Sequence, residues 1–161
     1  MDADVRRIEG VRRRVRALFA EEGVEAVVSS AACGADLIAQ SEAGAMGLRR
    51  RIVLPYGRER FRETSVVDRP GDWGAVYDRV LGEVDDVVVL PEADEPYRAA
   101  NEAILDEAEK LAAEMGQEAA AVLVWDGASR GERDWTAAFG RAARERGWRV
   151  LEVSTQVTPG V

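Results

Sequence analysis

Ser29-Ser30-Ala31-Ala32-Cys33-Gly34-Ala35-Asp36 follows a short β-branched run and leads into a helical pattern. Small side chains at such a strand-to-helix turn leave backbone N–H groups open, and a helix N-terminus favours an anion such as phosphate. Ser29, Ser30, Ala32 and Gly34 would cradle a phosphate or ribose through N–H groups and hydroxyls. Asp36 reads two ways: as a partner for ribose hydroxyls or a cation, or as an N-cap or first-turn acid set against the helix dipole. Cys33 is either a reactive thiol near a helix N-terminus or a small buried filler.

Asp126 directly follows an apolar run, and Gly127 beside it allows close backbone approach. Asp126 either accepts hydrogen bonds from a ribose or base or caps its own turn. Trp125 before it reads as core more readily than as a stacking platform. The sequence contains no His, which removes imidazole bases, imidazole metal ligands and Ser-His-Asp chemistry. Only carboxylates then remain as general bases near neutral pH. Asp36, Glu42 and Asp126 are the candidates, and Asp126 is the one weak catalytic candidate. Arg58, Arg60, Arg62 and Arg69 form either a phosphate clamp or a solvated loop whose charge Glu59, Glu63 and Asp68 largely neutralise. Tyr97 and Asn101 either meet a base edge or lie at a sheet edge and on an exposed helix face.

Composition narrows the partners. The net charge of -8 argues against general nucleic-acid and anionic-membrane binding. Cys33 is the only Cys, so an internal disulfide and a thiolate zinc cluster are both excluded. No metal site or resident cofactor is expected; Mg²⁺ would enter only together with a phosphate ligand. No apolar run approaches a membrane span and the N-terminus is not signal-like, so the expected location is cytoplasmic.

These residues need elements to position them. Val5, Ile8, Val15, Leu18 and Phe19 recur at helical spacing up to Gly23. Strands are expected at 24–29, 51–54, 86–90, 120–125 and 149–153. Helices are expected at 36–46, from Asp72 through Leu81, at 97–115, and from an Asp134 cap to Gly147. Residues 56–71 and 126–133 read as long polar loops, and 155–161 as a C-terminal tail. The strands are continuous apolar runs alternating with helices, which predicts an α/β fold. Residues 1–154 are expected to form a single Rossmann-like three-layer domain, a mostly parallel sheet of about five strands flanked by helices. In such sheets ligands bind beyond the carboxyl ends of the strands. The chain opens on a helix, which is unusual for this class; the expectation is that a preceding strand is absent or was lost upstream.

The turn at Ser29–Asp36 resembles the S-G-x-A-x-G-x-D turn of the SLOG superfamily, Rossmann-like domains related to the DNA-processing protein A and Lonely Guy families, with Ser30 where Gly is usual. Three further segments are similar to bacterial members in matching order. Val53-Leu54-Pro55-Tyr56 precedes Phe61, Thr64-Ser65-Val66 and Gly71-Asp72-Trp73. Tyr97 with Asn101 comes next, then Val124-Trp125-Asp126-Gly127 with Gly131 and Thr136. The resemblance spans roughly 24–153 and implies ligand contacts at Thr64, Ser65 and Thr136 besides those above. Relatives carry a G-G-T or G-x-G-T phosphate loop at the last turn, whereas this chain reads Gly131-Glu132-Arg133-Asp134-Trp135-Thr136.

The expected function is binding of a nucleotide or nucleotide-derived signalling ligand, a sensor's task. The first alternative is a Lonely Guy-like hydrolase or transferase cleaving the N-glycosidic bond of nucleoside monophosphates. The second is a non-catalytic interaction subunit whose pocket has degraded at 132–136. The expected partner is a nucleotide-type small molecule rather than a nucleic acid or a membrane, and the resemblance makes a homodimer an open possibility.

Overall fold

The computed structural model describes residues 3–125 and 134–156. In chain order these form α1 (Ala3–Glu21), β1 (Ala26–Ser29), α2 (Ala35–Ala45), β2 (Arg49–Leu54), α3 (Arg58–Ser65) and α4 (Trp73–Glu83). β3 (Asp86–Val89), α5 (Pro96–Met115), β4 (Ala120–Trp125), α6 (Trp135–Glu145) and β5 (Arg149–Ser154) follow. Among the described residues, no helix is long and apolar enough to cross a membrane.

The fold is mixed α/β with parallel strands, and its strands divide between two sheets. One sheet has the order β1-β2-β3 and the other pairs β4 with β5. The expected single sheet of about five strands is therefore corrected, because β1 and β4 do not hydrogen-bond. Each keeps one edge for its own neighbour, and a cavity of about 440 Å³ runs along both.

Registers are regular, with Ser29 opposite Ile52, Val53 opposite Val88, and Val124 opposite Val153. α2 packs on β1, β2, α1 and α4, whereas α5 packs on β1, β2 and α6, and α6 on β4 and β5. α1 joins the halves: Val11, Val15 and Phe19 pack with Val27, Val122, Val124 and Val153 in one apolar cluster.

Most strand and helix positions match the sequence pattern within two residues. The exception is the connection after Pro55, expected to be a polar loop, which holds α3. Phe61 is the reason. It is buried with Tyr56, Val66 and Tyr77, and that anchor gives a charge-rich segment a helical face to bury. Asp72 precedes α4 as expected but its side chain makes no capping bond. Asp134 does cap α6, accepting from the Ala137 N–H at 3.1 Å. Gly116 ends α5 at φ +66, a left-handed cap that glycine adopts without strain.

Candidate functional site

The Ser29–Asp36 turn lies at the carboxyl end of β1, and its conformation follows from its small residues. Gly34 adopts φ +93 and ψ -125 in front of α2, a region closed to other residues. The Cys33 N–H donates to the Ser65 carbonyl at 2.9 Å, which ties the turn to α3. The Ala32 N–H donates to Asp36 Oδ2 at 3.1 Å. Asp36 is thus a first-turn acid that folds back onto the turn; the N-cap position belongs to Gly34, with no side-chain cap.

Burial raises the Asp36 pKa to about 6, and the Ala32 N–H bond opposes that rise only in part. Cys33 is also pushed up, by burial first and then by Asp68 and Asp36, against the pull of Arg69 and its backbone hydrogen bond. These influences disfavour the thiolate that a reactive cysteine would need.

Sequence reasoning missed Gln40, one turn into α2 and fully buried. Its Nε2 donates to Ser29 Oγ at 2.9 Å and to the Arg51 carbonyl at 3.3 Å. Ser29 Oγ in turn donates to the Ser30 carbonyl at 2.7 Å. The Ser29 hydroxyl is therefore engaged inside the protein, while Ser30 Oγ is enclosed with no hydrogen-bond partner. Its place four residues after Asp36, one turn along the same helix, was the only mark it carried in the sequence.

Five of the expected site residues, Ser29, Ser30, Asp36, Asn101 and Thr136, border the same cavity, together with Trp135. Asn101 donates from Nδ2 to the Trp135 carbonyl at 3.2 Å, and the Tyr97 and Trp135 rings lie 5.9 Å apart. α5 and the start of α6 thus form the wall opposite the turn. Asn101 reads in the sequence as meeting a base edge or lying on an exposed helix face; it borders the cavity, with its Nδ2 engaged by the Trp135 carbonyl.

Thr64 and Ser65 do not border that cavity. Tyr56 Oη lies 2.7 Å from Thr64 Oγ1 and 3.0 Å from Tyr97 Oη, and Thr64 Oγ1 is 3.3 Å from Ser65 Oγ. Burial acts to raise the Tyr56 pKa, but hydrogen bonds with Thr64, Tyr97 and Ser65 and the Arg60 guanidinium outweigh it, so the phenol is more acidic than usual. The Arg60 guanidinium sits 4.4 Å from the centre of the Tyr56 ring. Tyr56 and Arg60 border a separate recess of about 290 Å³ with Glu92 and Pro96.

The arginine cluster does not converge. Arg62 is held by Asp78 at 3.0 Å and Arg60 reaches Glu92 at 3.5 Å. Glu42, a candidate base by its sequence position, faces Arg12 and Arg16 of α1 at 3.6 and 3.7 Å, a structural ion pair away from the turn. Trp125 donates from Nε1 to Glu152 at 2.7 Å and does not line the cavity. Asp126 and Gly127 lie outside the described residues, as do Gly131 to Arg133. Among the described residues, no three acidic or cysteine side chains converge as metal ligands would.

The cavity therefore has both polar and aromatic lining. Ala35 and Asp36 at the start of α2 border it beside Ser29 and Ser30, and Trp135 adds an aromatic residue to its lining, whereas the Ala32 and Cys33 N–H groups are already engaged within the protein. No family model matches this sequence, and no curated protein matches it.

Proposed function

We propose that the chain is a Rossmann-like three-layer domain of SLOG type, its two sheets the halves of one layer interrupted between β1 and β4, that binds a nucleotide or nucleotide-derived signal. The ligand sits where the cavity reaches the carboxyl ends of β1 and β4. The observation that carries this reading is the cavity at the end of β1, bordered by Asp36, Asn101, Thr136 and Ser30, whose buried hydroxyl has no partner. Buried hydroxyls are normally satisfied, so an orphan at a cavity wall points to a group that arrives with a ligand. The cavity's volume of about 440 Å³ falls within the size range of small-molecule sites. Further support comes from its position at the strand ends where parallel sheets bind ligands.

Phosphate would take N–H groups at the start of α2, and the ribose hydroxyls would meet Asp36. The base would lie toward Trp135. Neutral pH leaves the Asp36 carboxylate mostly ionised, given its pKa of about 6. It therefore accepts from ribose hydroxyls and repels a phosphate placed too deep.

A thermal-shift screen with mono-, di- and cyclic nucleotides tests the reading. A ligand at about 100 times its Kd stabilises the fold by about 2.7 kcal/mol, a shift of several degrees. Ser30→Ala should abolish that shift without lowering the unliganded Tm, because the hydroxyl has no internal partner to lose. No shift with any nucleotide at millimolar concentration refutes the proposal. So does a shift that Ser30→Ala leaves intact.

A further inference from the structure

Two sheet edges face one cavity along most of their length. The Arg49 N–H donates to the Glu25 carbonyl, so Glu25, Val27 and Ser29 turn their backbone groups toward β2. Parallel pairing alternates, which turns the N–H and C=O groups of Ala26 and Val28 the other way. On the opposite side, the Thr155 N–H donates to the Trp125 carbonyl, so Ala121, Leu123 and Trp125 face β5. Val122 and Val124 therefore face away from it. Ala26, Val28, Val122 and Val124 all border the cavity, and among the described residues no sheet ladder pairs their outward backbone groups.

The remaining walls are apolar. Val15, Leu18 and Phe19 of α1 line the cavity, as do Ile104, Leu111 and Met115 of α5. Unpaired ladder groups beneath such walls are costly, and each edge is a template for another strand. The lower end, at the start of the strands, is acidic. Glu22, Glu25 and Glu118 border it, and Arg149, paired with Glu22 at 3.1 Å, is the one cation among the lining residues.

We infer that this slot is a docking site for one extended segment of a separate polypeptide, inserted between β1 and β4 as a parallel strand. The segment is a basic residue followed by about five aliphatic residues, long enough to span strands of this size. Its alternate backbone groups complete the ladders of Ala26 and Val28 on one side and of Val122 and Val124 on the other. Its side chains enter the apolar surfaces of α1 and α5, and its basic start meets Glu25 and Glu118. Recognition of this kind draws affinity from main-chain bonds and selectivity from side-chain pockets. Val28 and Val124 lie near the carboxyl ends of β1 and β4, so the inserted segment and the proposed nucleotide would compete for that end of the cavity, while the protection of Ala26 and Val122 reads the segment alone.

The test is amide hydrogen exchange on the whole chain with the peptide acetyl-Lys-Lys-Val-Val-Ala-Val-Ile-Gly-amide. Exchange at Ala26, Val28, Val122 and Val124 should slow together, by about tenfold or more at saturation. A copy of the peptide N-methylated at alternate residues should protect neither strand. Replacing the two lysines by serine should weaken binding severalfold at low salt, and Glu25→Gln with Glu118→Gln should erase that difference. Absent protection overturns the inference, as does equal protection by the N-methylated copy. Protection already present in the free protein overturns it in favour of direct β1–β4 pairing. Protection that rises with protein concentration overturns it in favour of a second copy.

Discussion

The three-stranded and two-stranded sheets are made of the same parallel βα units, yet they are stabilised differently. In the first, Ile52, Val53 and Leu54 of β2 are fully enclosed, because β2 has a strand on each side. Leu37, Tyr56, Phe61, Tyr77 and Val80 extend that core. In the second, the buried cluster is Leu105, Ala121 and Ala143, with Phe139, Trp148 and Val150 only partly covered. Two strands cannot shield each other on both edges, and an isolated pair is marginal in water. The smaller half therefore relies on α1 and α5, which also contact the larger one. Binding features collect at the seam between them, where packing is least complete.

Core truncation gives the largest expected effects and breaks the comparison most directly. Leu54→Ala should cost about 2–5 kcal/mol and lower the urea midpoint of the whole molecule. Leu105→Ala should cost a similar amount but act locally. Amides of β4 and β5 should exchange faster while those of β2 keep their protection. Equal loss of protection in both sheets after Leu105→Ala would show that the halves unfold as one, with no difference in stability between them.

The next effect belongs to the seam itself. An Asp in an unfolded chain has a pKa of about 3.9; in the fold, Asp36 is raised to about 6. The native state thus prefers the protonated carboxyl. Its contribution to stability is fully present below about pH 4 and is lost as pH rises through about 6. By pH 8 the ionised carboxylate costs up to about 3 kcal/mol, because each tenfold change in proton affinity is worth about 1.4 kcal/mol. Asp36→Asn keeps an acceptor for the Ala32 N–H, so it should stabilise the protein by about 1–3 kcal/mol at pH 8 and by little at pH 4. Denaturation at both pH values checks this, and an equal gain at each would contradict it. In the proposed nucleotide site the same variant should bind more weakly while melting higher.

Legibility in the sequence followed the same division. Continuous apolar runs and glycine stops located every strand, because burial on two faces leaves an uninterrupted signal. Residues 86–89 and 120–125 were readable for that reason. α3 was not, since one phenylalanine in Arg58–Ser65 carries its whole packing face. The split between β1 and β4 was also invisible: periodicity reports which residues are apolar, never which edges meet. At the site, the turn's shape could be read from Gly34 and its small neighbours. The engagement of Ser29 by Gln40 could not, because it joins residues eleven positions apart across a helix. Asn101 was identified, but its bond to the Trp135 carbonyl depends on how α6 starts, a tertiary fact.

The smallest effect separates the halves by charge. Glu102, Asp106 and Glu109 stack along one face of α5, where like charges at such spacing repel. Arg146, just after α6, reaches all three at 3.0, 2.9 and 3.1 Å. It relieves that repulsion while fastening α6 to α5, in the half with the thinner core. In the larger half, Arg62 grips Asp78 in a comparable fork, but both side chains are well exposed and join elements already packed through Phe61 and Tyr77. Arg146→Met should therefore cost about 1 kcal/mol at low ionic strength and clearly less in ~1 M salt, which screens both the lost attraction and the exposed repulsion. Arg62→Met should change stability less under both conditions. Paired urea titrations of the two variants at low and high salt make the comparison. A salt-independent loss at Arg146 would mean that its aliphatic stem, rather than its charge, holds α6 against the smaller sheet.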